Sequence, residues 1–443
     1  MPGRFKVAIC GAGISGLVAA VSLSKYDDID VDIYEGASKL AEVGAGVGMF
    51  PRPWRILENI GVDEDLLRTT PVRPKTGPVP SWIYRKADGE EGIEFFTLTM
   101  QGSFIPLHRP TFQNVLVRHL PSHYKLHTSK RLTSYTQTPD GVIIHFEDGS
   151  TATCDVLLAA DGLKSAARTQ FLKELAEKAT TTEKADKLLS CIDPVWSGLV
   201  TYRALIPAEK LRELSPDHRA LEHEIQYMGK DGIVVGYPIM NGTVINFVAY
   251  VARFELEGTP YNGSWSQEVD VAEFASTFAH WEPEVQSLIQ CVENPSRWAI
   301  HTVKPLETFV SGRVALLGDA AHAMTPNQGS GAGQAAEDAY IAAAVLGHPS
   351  TNKENSEKAL HVYDAVRRPF AQDVVEKSRF AARISTLNWP EEISRTVDNL
   401  ETMDLKLEAL SRLAKKSRED WEWAWLTTLD DDVERANHML LSF

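Results

Sequence analysis

Cysteine is scarce in this sequence. Four residues in 443, Cys10, Cys154, Cys191 and Cys291, are widely scattered, and no pair has zinc-ligand spacing. That excludes a disulfide framework and a zinc ribbon, and buried filler is the ordinary role for such thiols. Long apolar runs are also missing; none approaches the roughly 18–20 residues a membrane helix needs. Positive charge is in deficit: 45 Lys and Arg against 60 Asp and Glu leave a formal net charge of −15. A nucleic-acid or anionic-membrane partner is therefore excluded at the level of the whole surface, and an anionic ligand would need a locally basic site. Met1-Pro-Gly-Arg-Phe-Lys leads directly into a strand, and Leu441-Ser442-Phe443 is not a peroxisomal address, so we expect a cytoplasmic protein. Internal repeats are absent, and no low-complexity segment exceeds Thr180–Thr182. An apolar fraction of 43% and a charged fraction of 24% describe an ordinary globular chain, long enough for two or three domains.

The most informative stretch is 313–338, Arg-Val-Ala-Leu-Leu-Gly-Asp-Ala-Ala-His-Ala-Met-Thr-Pro-Asn-Gln-Gly-Ser-Gly-Ala-Gly-Gln-Ala-Ala-Glu-Asp. Val314–Leu317 reads as a buried strand that ends on Gly318-Asp319. Pro326, Gly329, Gly331 and Gly333 make a loop too glycine-rich for a helix interior, and a helix follows from about Ala332 to Leu346. A strand, an acid, a glycine turn and a helix N-terminus suit an anionic or hydroxyl-rich cofactor, because free backbone N–H groups point at it.

The start of the chain narrows the cofactor. Strand Phe5–Cys10 runs into Gly11-Ala-Gly13-Ile-Ser-Gly16, then a helix through Leu23, then strand Val31–Tyr34 closing on Glu35. In that context the Gly-x-Gly-x-x-Gly is a dinucleotide fingerprint. Gly11 permits the turn, Gly13 lets backbone approach a pyrophosphate, and Gly16 lets helix and strand pack. Glu35 can accept from a ribose and disfavours a 2′-phosphate, so FAD or NAD fits better than NADP. A second glycine-rich loop, Glu42 to Pro51, reads as a loop against the cofactor ring, followed by a helix at Pro53–Ile60. Strand Val156–Ala160 delivers Asp161-Gly162 to a further loop; a helix cap by Asp161 or Ser165 is the simpler alternative.

Residues 174–190 read as an exposed excursion. From Leu199 to Arg253 the pattern becomes β-rich, with turns at Gly229–Gly232 and Asn241-Gly242, and implies a separate antiparallel sheet. Alternation puts Tyr202 and Arg203 on opposite faces. Residues 270–292, 361–384 and 393–416 read as helices. Trp421 and Trp425 share a helical face, and docking of the C-terminal helices is their preferred role over ligand contact.

These motifs, with His108-Arg109, Gly318-Asp-Ala-Ala-His-Ala, Gln328-Gly-Ser-Gly-Ala-Gly-Gln334 and Tyr363-Asp-Ala-Val-Arg-Arg-Pro369, occur in a recognisable order over nearly the whole chain. The pattern resembles the single-component FAD-dependent aromatic hydroxylases of the 4-hydroxybenzoate hydroxylase type and is most similar to their salicylate 1-hydroxylase branch. The resemblance implies an α/β fold: a Rossmann-like FAD-binding domain (1–75, 102–190, 297–352), an inserted antiparallel β-sheet substrate domain (76–101, 191–296) and C-terminal helices (353–443). It implies that Gly11, Gly13, Gly16 and Glu35 hold the ADP half of FAD. Ala45 and Gly46 would lie along the cofactor, Arg109 and Asp161 near its pyrophosphate, Asp319 on the ribityl chain, and Gly331 and Ala332 at the flavin's pyrimidine edge. Pro326 and Asn327 would line the active site, with Arg203, Tyr227 and Tyr237 as candidate substrate contacts and Arg253 as a second candidate partner for a ring carboxylate.

The implied reaction uses NADH or NADPH and O2 and passes through a flavin C4a-hydroperoxide. It hydroxylates a small aromatic of hydroxybenzoate or aminobenzoate type, with or without decarboxylation, in a monomer or homodimer. With no second dinucleotide fingerprint, NAD(P)H would bind transiently. The scaffold also suits an FAD epoxidase or hydroxylase of a larger secondary metabolite, and a non-catalytic flavin-binding protein is the reading from another class. One departure stands out: salicylate hydroxylases commonly place histidine where this chain has Asn327. His322 is the nearby candidate replacement, but a structural or flavin-adjacent role suits it better.

Overall fold

The structure is a computed structural model that describes residues 4–40, 46–389 and 397–442. Two β-sheets organise it. The first is six-stranded, in the order Val310–Ser311, Val314–Leu316, Val156–Ala159, Phe5–Cys10, Ile29–Tyr34, Lys125–His127. All its pairs are parallel except the short edge pair Val310–Ser311 with Val314–Leu316. Its central strands are continuous apolar runs, as burial on both faces requires. The parallel register has a functional consequence. Three neighbouring strands end on the same edge, and those ends carry Gly11, Asp161-Gly162 and Gly318-Asp319. Helices Ile14–Leu23 and Gly331–Gly347 start from that edge, where open α/β sheets take their ligands.

The second sheet has eight strands in the order Ser266–Glu268, Ser296–Thr302, Val195–Pro207, Val244–Ala252, Gly232–Ile239, Ile225–Gly229, Pro78–Lys86, Ile93–Gln101. It is not wholly antiparallel, because Ile225–Gly229 pairs in parallel with Pro78–Lys86. It also runs past residue 296, to Thr302. One face packs on Phe274, Phe278, Trp281 and helix Pro283–Cys291. The other face carries Trp82, Tyr237 and Tyr250, which pack with Phe50, Phe104 and the C-terminal Trp421 and Trp425.

Several local expectations change. The stretch read as an exposed excursion is largely exposed but helical: it takes in the end of Ala166–Glu177 and the whole of Thr182–Leu189, helices started by hydroxyl caps from Ser165 and Thr181. Asn241-Gly242 does not form a two-residue hairpin turn; Ile239 pairs with Val244 across a longer loop in which Met240, Asn241 and Gly242 all have positive φ. The helix expected from 393 begins outside the described residues, and its later part is Met403–Trp421. Among the described residues no helix is long and apolar enough to cross a membrane.

Candidate functional site

A cavity of about 360 Å³ lies between the edge of the parallel sheet and the second sheet. Cofactor-type loops form one end of it: Gly13, Arg109, Gly162, Asp319, Gly331 and Ala332. The glycines there do different work. A Cβ on Gly11 would strike the Ala160 carbonyl, and one on Gly16 would strike Gly11, so both are fixed by packing. A Cβ on Gly13 would meet nothing within 4 Å. Protein packing does not account for its lack of a side chain, and the space beside it is open to a ligand.

Asp319 is exposed at the cavity, and no ion pair or hydrogen bond occupies its carboxylate among the described residues. Arg109, at the first turn of helix Arg109–Arg118, is likewise unpaired. In the helix that begins at Gly331, the Gln334 N–H donates to the Ser330 carbonyl at 2.9 Å. The amides of Gly331, Ala332 and Gly333 precede that bond and are free of the helical ladder. A free carboxylate that can accept from hydroxyls, with a free guanidinium and free amides that can donate to anionic oxygens, could together hold a flavin dinucleotide. Glu35 receives the Ala12 N–H and the Ala37 N–H, both at 2.8 Å, which fixes the acid beside the fingerprint turn.

Asp161 is committed elsewhere. Its oxygens accept from Ser165 Oγ at 2.5 Å and the Ala167 N–H at 3.0 Å, so it caps the following helix, and burial raises its pKa above the ordinary carboxylate value. Gly162, not Asp161, lines the cavity. Ala45 lies outside the described residues. Its neighbour Gly46 lines the cavity and donates its N–H to Asn246 Oδ1 at 2.9 Å, tying the second glycine loop to the eight-stranded sheet.

The other end of the cavity is walled by that sheet, and register decides which residues reach it. Gln226, Val235, Val248 and Arg203 are successive cross-strand partners and all line the cavity. Tyr237 with Asn246, and Ile233 with Tyr250, form parallel rows on the same face. One residue along, Tyr227, Val234, Ala249 and Tyr202 form the row on the opposite face. Tyr227 is therefore not a substrate contact: it is fully buried on the far side and donates to Glu284 Oε2 at 2.6 Å. Tyr202 stacks on Phe274. Arg253 is exposed and away from the cavity. Arg203 has its Nε buried without a hydrogen-bond partner, and burial lowers its pKa. Burial likewise raises the pKa of Tyr237 and Tyr250, which stay protonated hydroxyls.

Pro326 and Asn327 line the cavity from the glycine-loop side. His322 does not; it is buried, with Nε2 2.5 Å from Asp338 Oδ2. Sequence reasoning missed the aromatic end formed by Phe50, Trp82, Phe104 and Trp421. Trp421 does dock the C-terminal helices, 5.2 Å from the Phe50 ring, but it also faces the cavity. Strand alternation could have grouped Gln226 and Asn246 with Arg203 once the register was known; nothing in the chain signals the approach of Trp421.

Comparison with known proteins agrees with this geometry. Residues 4–378 match the family model described as FAD binding domain. The chain is 34% identical to the FAD-dependent monooxygenase str9 of Strobilurus tenacellus, covering 98% of this chain and 97% of that one. It is 32% identical to a salicylate hydroxylase of Pseudomonas putida, covering 98% and 95%. A solved salicylate hydroxylase substrate complex superimposes with a TM-score of 0.79 at 30% identity, over 98% of each chain. The chain belongs to the FAD-binding-domain family and, within it, to the FAD-dependent aromatic hydroxylases related to salicylate hydroxylase: it is a flavoprotein monooxygenase.

Proposed function

We propose that this enzyme hydroxylates a small carboxylated aromatic bearing a hydroxyl or amino group, at the expense of NADH or NADPH and O2. The observation that carries the reading is the single cavity that joins the flavin-type loops to the Arg203–Gln226 row. When bound, FAD supplies electron transfer from the nicotinamide and activation of oxygen.

The chain's own residues do the rest. Asp319 would accept from the ribityl hydroxyls, Arg109 would face the pyrophosphate, and the free amides of Gly331 and Ala332 would stabilise negative charge at the adjacent ring edge. Gly13 would let the dinucleotide backbone approach. Arg203 would pair with a ring carboxylate, which supports a benzoate-type substrate over a bare phenol. Tyr237, Tyr250, Gln226 and Asn246 offer neutral hydrogen bonds that orient the ring. The aromatic end formed by Phe50, Trp82, Phe104 and Trp421 packs on the ring and excludes water, which protects reactive oxygen species from side reactions. Salicylate, methylsalicylate and amino-hydroxybenzoates define the substrate panel.

The test measures NADH and NADPH oxidation by the yellow holoprotein with a panel of hydroxy- and aminobenzoates, with product identification. We expect at least one carboxylated member to accelerate oxidation and to leave as a hydroxylated product. Stimulation by no member of the panel would overturn the reading.

A further inference from the structure

Asn327 sits in the short turn Pro326–Gln328 and lines the cavity. An amide side chain can present either its oxygen or its nitrogen, and here a neighbour decides which. Ser385 Oγ donates its single proton to the Ala382 carbonyl at 3.3 Å. Toward Asn327 it can therefore only accept, and its partner, 3.4 Å away, must be Nδ2. That leaves Oδ1 turned away from Ser385. Oδ1 is shut off from water and has no donor in the protein. The turn is pinned to the same helix nearby, where Thr325 Oγ1 donates to Ser378 Oγ at 3.1 Å and Ser378 Oγ donates to the Thr325 carbonyl at 2.5 Å. The amide is thus held in one orientation, with a buried acceptor that has no donor among the described residues.

We infer that Asn327 selects the protonation state of the substrate. The ligand enters as a neutral hydroxy- or aminoarene whose O–H or N–H donates to Asn327 Oδ1, and Ser385 is the positioning residue that turns the amide. This rests on the aromatic hydroxylase reading and adds the substrate form. An amide oxygen attracts an O–H and repels a phenolate. The groups around it do not reverse that preference. Met324, Thr325, Gln328 and Gly329 on its own loop, Ser378 and Ser385 on the packed helix and Trp421 opposite carry no charge. The ionisable residues that line the cavity, among those described, are Arg109, Arg203, Tyr237, Tyr250 and Asp319. Asp319 and Arg109 belong to the cofactor end. Arg203 is the partner of a carboxylate, and the two tyrosines remain neutral. Among the described residues that line the cavity there is no histidine or lysine and no carboxylate besides Asp319 to take the phenol proton. The site therefore suits a ring made electron-rich by an amino or additional hydroxyl group over one that must ionise on binding.

The experiment titrates 4-hydroxy-3-nitrobenzoate, whose phenol and phenolate absorb differently, on the holoprotein across pH. On the wild type the bound probe should hold its proton to higher pH than free probe, by about one pH unit, a tenfold preference for the neutral form. Ser385→Ala should shrink that shift while leaving FAD content and fold unchanged, and Ser385→Thr, which keeps the acceptor, should restore it. Asn327→His should reverse its sign. If the bound probe ionises as readily as free probe, or more so, while substrates still stimulate NAD(P)H oxidation, the inference is wrong and the aromatic hydroxylase reading stands. If neither the probe nor any benzoate binds, that reading falls and the inference falls with it.

Discussion

Arg367 and Asp338 form an ion pair 2.9 Å long with neither side chain exposed. The other oxygen of Asp338 receives the Gly318 N–H at 2.9 Å and lies against His322. The same guanidinium donates to Glu337 at 2.8 Å and to Gln334 at 2.6 Å. One arginine from the long helix Ser356–Ser385 thus fastens the strand end that carries Asp319 to the helix whose N-terminus lines the cavity. Replacing Arg367 with Met leaves two buried carboxylates short of a counter-charge, and breaking such a pair costs about 3–5 kcal/mol. Arg367→Met should lower the melting temperature and the bound FAD together, measured by calorimetry and flavin absorbance. A stable variant with full flavin content would show that the network does not support the site.

The same network predicts an acid response. Burial alone would raise the Asp338 pKa, but attraction to His322 and Arg367, with their hydrogen bonds, overcomes it and holds the carboxyl below its ordinary value. A group depressed in the folded state contributes stability above its unfolded pKa of about 3.9 and loses it as pH falls through the folded value. The stability difference between wild type and Asp338→Asn should therefore be flat above about pH 5 and shrink below about pH 4, read from denaturant melts at each pH. A difference that persists unchanged into acid would place the carboxyl outside the ion pair.

How much of this was legible depends on the range of the interaction. The fingerprint Gly11-Gly13-Gly16 and Glu35 could be read from the chain because strand, turn, helix and second strand follow one another within about 30 residues, although the contact that requires glycine at position 11 comes from Ala160. A helix cap by Asp161 or Ser165 is legible as an alternative to cofactor contact, and in the structure both serve the start of the helix: Ser165 accepts from the Arg168 N–H, and Asp161 accepts from Ser165 Oγ and the Ala167 N–H. Alternation on a strand separated Tyr202 from Arg203, yet could not say which faced inward. That choice is made by what packs on each face, Phe274 and helix Pro283–Cys291 on one and the flavin-type loops on the other. Tyr227 was misplaced for the same reason, since its neighbour Gln226 has the inward register. Trp421 reaches the cavity through tertiary docking across more than three hundred residues to Phe50, which no local pattern encodes.

Gly13 and Gly16 separate ligand binding from packing. A methyl at Gly16 would collide with the Gly11 backbone, whereas one at Gly13 meets open space in the protein. Gly13→Ala should melt like the wild-type apoprotein but fail to retain FAD after purification. Gly16→Ala should lose both fold stability and flavin. If Gly13→Ala retains normal flavin, the fingerprint turn is not where the dinucleotide approaches.

Asp319 should matter to the cofactor and little to the apoprotein, because its carboxylate has no protein partner among the described residues. Losing hydrogen bonds to a charged acceptor costs about 1.5–3 kcal/mol, so Asp319→Ala should weaken FAD binding roughly 10- to 150-fold with an unchanged apoprotein melt. Flavin quenching titrations give the constant. Wild-type affinity would remove the acid from the ribityl position.

Arg203 offers the sharpest test of substrate class. It is the cation of the inward row, its Nε lacks a partner, and it lies over the Trp298 ring at 5.7 Å, which holds the guanidinium in the wall. A charge-assisted bond to a ring carboxylate is worth about 1.5–3 kcal/mol. Arg203→Ala should therefore raise the KM for a hydroxy- or aminobenzoate roughly 10- to 150-fold, while the corresponding phenol or aniline without the carboxylate changes little. Arg203→Lys should recover part of the loss, because a point charge replaces a fork. The comparison of the two ligands discriminates charge recognition from damage to the sheet, since a distorted wall would weaken both. Equal losses for the carboxylated and uncarboxylated ligands would reassign Arg203 to a packing role and reopen the substrate class.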